Sequence, residues 1–234
     1  MPSPELIEAR NFADKLRNSL PSSVDAAALG VWSKAPFQIL CAREALIWRT
    51  EELTCNACDT LDRGDLAVGA ILARAIVENA ALTWKLMELL DTREQYSAKD
   101  LSESLTRLLV GSRKWEDLPK AFQILSSVDR MDKRISGVRA SYDSLSEIAH
   151  PNWAGVLGLY SETDKSRFMT RFGRGLRGSA GTQSMILNTM LGALELFDHA
   201  YNRISDVMPA FLGELEPISP GGDRDSDSEV QPNT

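Results

Sequence analysis

The sequence predicts an all-α protein, a bundle of about five to seven helices with one small β-hairpin near residues 156–173. Apolar residues recur three and four positions apart over much of the 234-residue chain, which places them on one face of a helix. Proline and glycine separate these segments at short intervals. One segment, near the predicted hairpin, instead shows the alternation typical of strands. Short connections predict that consecutive helices pack as antiparallel neighbours.

The N-terminal half contains three predicted helices. The first covers residues 6–20, and residues 22–35 form a loop or a short helix that Pro36 stops. A long helix follows over Phe37–Leu61. Asp65 is predicted to cap a second long helix that runs to about Leu90, because an aspartate side chain accepts hydrogen bonds from the free amides at a helix start.

Four more helices are predicted in the C-terminal half. They cover residues 101–110, residues 119–135 with a proline near the first turn, residues 139–149, and residues 182–211. The third of these must end near His150, because the proline that follows disfavours helical geometry there. The last has a continuous apolar stripe, which is typical of a helix facing the core.

The predicted hairpin lies between the last two helices. Two runs of alternating apolar residues flank Ser161-Glu162-Thr163-Asp164, which is the expected turn. Residues 174–182 are rich in glycine and are interpreted as a flexible linker.

Composition favours one folded helical domain at residues 1–215, with the helix at 5–20 either inside it or an appendage. Residues 216–234 have no aromatic side chain and many Pro, Gly, Ser and Asp, so we expect a disordered acidic tail. Three cysteines do not make a complete disulfide framework and favour a reduced, cytoplasmic chain. Each long apolar segment contains charged residues, so no membrane span is expected. Cys55 and Cys58 lack the further paired ligands that zinc requires, and neither a metal nor a cofactor is expected.

The net charge of −7 is unevenly distributed. Residues 107–180 carry 13 basic against 8 acidic side chains, whereas the segments on either side are acidic. A basic middle segment can bind an anion such as RNA. The alternative is that it balances the acidic segments within one fold.

Two glutamates fall on what looks like an apolar face of the second predicted helix. Glu44 and Glu51 share that face with Phe37, Ile47 and Trp48 at 100° per residue. Buried carboxylates need partners, so they either pair with an arginine across the core or line a site. A small-molecule pocket around Glu44, Glu51 and Trp48 is one hypothesis.

A polar constellation surrounds His150. Arg139, Tyr142 and His150 lie near one face of a helix, and Asn152 follows directly after it. Arginine and histidine beside a tyrosine can bind a phosphate and transfer a proton. The alternative is that His150 and Asn152 only terminate the helix.

Two short motifs resemble HEPN-like helical proteins of bacteria. These are R-A-I-V-E at Arg74–Glu78 and Y-x-x-L-S-E-x-x-H-P-N at Tyr142–Asn152. The resemblance implies an all-α protein of a defence or toxin–antitoxin type, often dimeric, and in many members a metal-independent ribonuclease. Such enzymes have an arginine four to six residues before the histidine. Here Arg139 is eleven residues before His150, so the arginine of such a site must come from elsewhere, with Arg74 as the candidate and Glu78 or Glu44 in support.

Three functions therefore follow from the sequence. The first is a HEPN-like ribonuclease with His150, Arg74 and Glu78 as catalytic residues and Tyr142, Asn152, Glu44, Glu51 and Arg139 as binding residues. The second is a non-catalytic module that binds RNA or a protein partner, or forms a homodimer. The third is a helical protein with a small-molecule pocket.

Overall fold

The computed structural model describes residues 2–25, 27–28 and 34–214. This part of the chain forms seven α-helices and a two-stranded antiparallel hairpin, and the predicted all-α bundle with a small hairpin is confirmed. The elements, in chain order, are α1 (Pro4–Asn18), α2 (Lys34–Asp62), α3 (Leu66–Asp91), α4 (Ala98–Val110), α5 (Ile124–Asp132), α6 (Val138–Ala149), β1 (Ser161–Asp164), β2 (Met169–Phe172) and α7 (Ser179–Glu214).

Helix α3 is the centre of the bundle. It packs against α2, α5, α6 and α7, so its apolar residues are buried around most of its circumference. In the described residues, α3 alone is long and apolar enough to cross a membrane by length and composition. Of its most apolar window, 56% is buried against the rest of the protein. The central helix of a folded bundle meets the same criterion, so the absence of a membrane span stays a prediction.

Helix α1 packs against α2 and α7 through a stripe of small and aliphatic residues, Leu6, Ala9, Ala13 and Leu16. The Ser3 hydroxyl accepts a hydrogen bond from the Leu6 amide at 3.2 Å and caps the helix start. Helix α1 thus contributes to the same core as the long helices.

The buried face of α2 is only partly the predicted one. Ile47 is buried as expected, but Phe37 and Trp48 are exposed, and the core also receives Ile39, Leu46 and two threonines. The Thr50 and Thr54 hydroxyls each donate to the carbonyl four residues earlier, at 2.7 Å. These bonds satisfy the two threonine hydroxyls within α2, so the small threonine side chains can be buried and α3 can pack close to the helix. Large apolar side chains alone therefore do not identify the whole buried face.

Several predicted boundaries are also wrong. Helix α5 begins at Ile124, because the Pro119 carbonyl instead accepts the Ser112 amide in a short bridge. Pro36 lies in the first turn of α2, where a proline costs no hydrogen bond. The Asp65 side chain binds Arg63 and Arg174 and makes no capping hydrogen bond to α3. The predicted tail at 216–234 and part of the 22–35 segment lie outside the described residues.

The predicted hairpin exists, with a shifted turn. Ser161–Asp164 is the first strand rather than the turn, and β1 pairs with β2 from Ser161 opposite Phe172 to Asp164 opposite Met169. The apolar run before it forms a π-helical turn, Ala154–Gly158. At Gly155 an added Cβ would lie 2.2 Å from the His150 carbonyl oxygen, so only glycine permits this turn.

Candidate functional site

Arg74, Glu78 and Tyr142 form one hydrogen-bonded cluster between α3 and α6. The Arg74 Nε donates to the Tyr142 hydroxyl at 3.0 Å, and that hydroxyl donates to Glu78 Oε1 at 2.8 Å. Arg74 and Glu78 also form an ion pair at 3.3 Å. Burial, followed by the bond to Glu78, raises the pKa of Tyr142, so the phenol stays protonated and donating. The cluster fastens α6 to α3.

His150 does not join this cluster. Helix α6 ends at Ala149, and His150 takes an extended conformation before Pro151, as predicted. It lies eight residues beyond Tyr142, about 12 Å further along the helix axis. Its side chain is exposed and makes no hydrogen bond or ion pair with any described residue. The proposed catalytic set of His150, Arg74 and Glu78 is therefore not assembled in this structure.

Asn152 shapes the chain after α6. Its Nδ2 donates to Glu147 at 2.6 Å, and its Oδ1 accepts the Gly155 amide at 3.1 Å. The side chain thus caps the π-helical turn. This is the helix-terminating alternative considered for the segment.

Arg139 is also fully engaged. Its guanidinium binds both carboxylate oxygens of Asp143, at 2.9 and 3.0 Å, and Asp129 at 2.5 Å. Asp129 lies on α5, so the pair holds the α5–α6 corner together. These contacts raise the pKa of Arg139, first through Asp129, and assign the side chain a structural role.

Glu44 pairs within the bundle. It forms a salt bridge with Arg43 and accepts a hydrogen bond from the Tyr201 hydroxyl at 2.7 Å. Arg43 lies 3.6 Å above the Tyr201 ring centroid and donates to the Tyr201 carbonyl. A pocket of about 660 Å³ opens beside Arg43 and Glu44. The carboxylate is satisfied by these two partners, but its arginine is the neighbouring residue of α2 and not, as the ion-pair alternative expected, one across the core.

Glu51 belongs to a separate cluster at α1. It accepts from Arg17 at 2.9 Å and from the Cys55 thiol at 3.2 Å. Burial and Glu51 raise the pKa of Cys55 to about 11, so the thiol is neutral and unreactive at neutral pH. Glu44, Glu51 and Arg74 thus lie in three different clusters. Across the described residues, no three His, Cys, Asp or Glu side chains group as metal ligands.

Sequence reasoning missed the most exposed aromatic surface of the described chain, which we call the aromatic hairpin (residues 153–174). Phe168 is 97% exposed, Phe172 72% and Trp153 66%. Four further large apolar side chains of the same segment are exposed: Val156, Leu157, Tyr160 and Met169. Large apolar side chains are normally buried in the core. A cluster of them exposed on one hairpin therefore indicates a binding surface.

The turn of the hairpin holds Phe168 outward. Asp164 Oδ1 accepts hydrogen bonds from the Ser166 amide and hydroxyl and the Arg167 amide. These bonds lower the pKa of Asp164 and fix the turn. Phe168 has a backbone φ of +49°, a left-handed conformation that bulky residues seldom adopt. Strain of this kind concentrates at functional positions.

Cations accompany the aromatic rings. Residues 153–174 have four basic side chains and two acidic ones. Arg171 pairs with Glu162 across the strands at 3.2 Å, and Arg174 pairs with Asp65 at the start of α3. Lys165 has no ion pair with a described residue. The hairpin therefore has a net positive charge beside its aromatic rings, and the unequal charge of residues 107–180 was the sequence signal for it.

Comparison with protein-family models, with curated proteins and with solved structures finds no match to this chain.

Proposed function

We propose that this protein binds single-stranded RNA through the aromatic hairpin, without cleaving it. One observation carries the proposal: Phe168 and Phe172 are exposed on a strained, positively charged hairpin. Exposed aromatic rings stack on unpaired bases, and arginine or lysine beside them neutralises the phosphates. A base already stacked in a duplex is not available for this contact, so the hairpin should prefer single strands.

The polar clusters support binding rather than catalysis. An enzyme of the expected kind needs a histidine, an arginine and an acidic group around one reacting phosphate. Here Arg74 and Glu78 are engaged with Tyr142, and His150 is a separate, exposed residue at the end of α6. A HEPN-like module without nuclease activity would have this arrangement. The HEPN-like assignment and the cytoplasmic location both stay predictions.

The hairpin is tested by fluorescence anisotropy with a labelled, unstructured twelve-nucleotide RNA. Replacing both rings, Phe168→Ser with Phe172→Ser, should weaken binding at least about 30-fold, since each stacked base contributes about 1–3 kcal/mol. Replacing two cations, Lys165→Gln with Arg167→Gln, should make RNA affinity less dependent on salt. The slope of the logarithm of the binding constant against the logarithm of the salt concentration should decrease in magnitude by about one.

Trp115→Ser provides the matched control, because Trp115 is an equally exposed aromatic residue in a different loop. It should bind RNA as the wild type does. The proposal is wrong if the phenylalanine double variant keeps wild-type affinity, or if a duplex of the same length binds as tightly as the single strand. RNA cleavage in excess chelator that is lost in His150→Ala would instead establish the ribonuclease.

A further inference from the structure

A second basic site lies at the opposite end of α3 from the hairpin. A pocket of about 480 Å³ opens between the C-terminal turns of α3 and the end of α5. Its charged lining consists of four cations and one carboxylate: Lys85, Arg130, Lys133, Arg134 and Glu88. The volume falls within the usual range of small-molecule sites. We call it the α3–α5 pocket.

Lys85 has no partner of its own in this pocket. Lys85 as a whole residue is only 9% exposed, yet its side chain forms no hydrogen bond or salt bridge with any described residue. Burial, followed by the nearby Arg130, lowers the pKa of Lys85. An ammonium that lines a pocket without a protein partner is available to an anion that enters the pocket. Lys133 and Arg134 likewise have no ion-pair partner among the described residues. The pocket therefore has more positive charge than its one carboxylate, Glu88, can neutralise.

Glu88 is the one carboxylate in the pocket, and one of its oxygens is also unsatisfied. Oε1 accepts a hydrogen bond from the Trp84 indole at 3.3 Å. Oε2 is buried without a hydrogen-bond donor, and Arg130 Nη1 lies 3.7 Å from it, beyond hydrogen-bond distance. An unsatisfied buried acceptor is rare in native proteins and often marks a missing partner. The pocket thus needs both an anion and a hydrogen-bond donor.

We propose that the α3–α5 pocket binds a phosphate monoester that also carries hydroxyl groups, such as a sugar phosphate or the 5′-phosphate end of a nucleotide. The phosphate accepts charge-assisted hydrogen bonds from Lys85 and the arginines, which suit its geometry. A hydroxyl of the same molecule donates to the Glu88 carboxylate, which lines the pocket. A simple anion would satisfy the cations and leave Glu88 without its donor.

The pocket is independent of RNA binding by the hairpin. Arg174 ties the hairpin to Asp65 at the start of α3, and Lys85 lies about 30 Å further along that helix. Part of the basic excess of residues 107–180 therefore lies on two separate surfaces, the hairpin and the α3–α5 pocket. A variant of Lys85 should not change affinity for the twelve-nucleotide RNA.

Isothermal titration calorimetry with inorganic phosphate, ribose 5-phosphate and ribose tests this assignment. The wild-type protein should bind ribose 5-phosphate several-fold more tightly than inorganic phosphate, and ribose only weakly. Lys85→Met, which keeps the aliphatic stem, should weaken binding of both phosphates at least tenfold. The matched variant Lys114→Met changes an exposed lysine outside the pocket and should bind as the wild type does.

Thermal unfolding distinguishes loss of the site from loss of the fold. Lys85→Met should have an unfolding temperature equal to or above that of the wild type, because it removes a buried, unpaired charge. The proposal is overturned if the wild type binds no phosphate at millimolar concentration, or if correctly folded Lys85→Met binds as tightly. Equal affinities for phosphate and ribose 5-phosphate would overturn the role of Glu88.

Discussion

Tyr142→Ala is expected to destabilise the protein by about 3–5 kcal/mol, the range found for truncation of buried aromatic residues. The side chain is only 3% exposed and packs between α3 and α6. Its loss leaves a cavity and removes the hydroxyl that joins Arg74 to Glu78. Chemical denaturation followed by circular dichroism measures the change.

Tyr142→Phe separates the two contributions. It keeps the ring and removes only the hydroxyl, so we expect a loss of about 1–2 kcal/mol. RNA affinity should be unchanged in folded Tyr142→Phe, because the cluster is remote from the exposed rings of the hairpin. If Tyr142→Phe were fully stable but lost RNA binding, Tyr142 would be a functional residue, contrary to our assignment.

Glu44→Ala is expected to cost about 3 kcal/mol, because it leaves the Arg43 guanidinium largely buried without its carboxylate. The two side chains are 12% and 14% exposed. The substitution also removes the acceptor of the Tyr201 hydroxyl, whose pKa burial raises well above its ordinary value. The free energy of unfolding in urea gives the effect.

Two further variants make the Glu44 result specific. Glu52→Ala changes an exposed glutamate of the same helix and should alter stability by less than about 0.5 kcal/mol. Replacing both members of the pair, Arg43→Met with Glu44→Leu, should restore much of the lost stability, since no charge is then left unpaired. A Glu44→Ala protein as stable as Glu52→Ala would show that the pair has no structural role.

The long helices are predictable because their apolar residues are periodic and residues such as proline mark where the helical segments end. Helix α6 is the clearest example: Pro151 excludes helical geometry at His150, and the helix ends one residue earlier. The buried face of α2 was not predictable from large apolar residues. Its contact with α3 uses Thr50, Thr54 and Ala57, whose suitability depends on how closely α3 approaches.

The candidate site was only partly predictable. The pairing of Arg74 with Glu78 follows from their spacing of four residues on one helix. The contact of Tyr142 with both of them depends on the packing of α6 against α3, which no local pattern specifies. The exposure of Phe168 and Phe172 was missed because an alternating pattern says which residues share a face and not whether anything covers that face.

Helix α3 relates the polar surfaces to one another. Near its start it anchors the hairpin through Asp65, in its middle it binds α6 through Arg74 and Glu78, and near its end it presents Lys85 and Glu88 to the α3–α5 pocket. Arg74 and Glu78 are held by Tyr142, and Asp65 is paired with Arg174, whereas near the end of the helix Lys85 has no ion-pair partner among the described residues. Ligand binding by groups of α3 itself is therefore expected near its C-terminal end.

Photocross-linking is the most direct test of RNA binding by the hairpin. A uridine-rich RNA is irradiated with the wild-type protein in excess chelator, the attached residues are located by mass spectrometry, and RNA length is followed on a gel. We predict intact RNA and cross-links in the peptides that contain Phe168 and Phe172. Shortened RNA, or cross-links confined to the peptides of Arg74 and His150, would contradict the account.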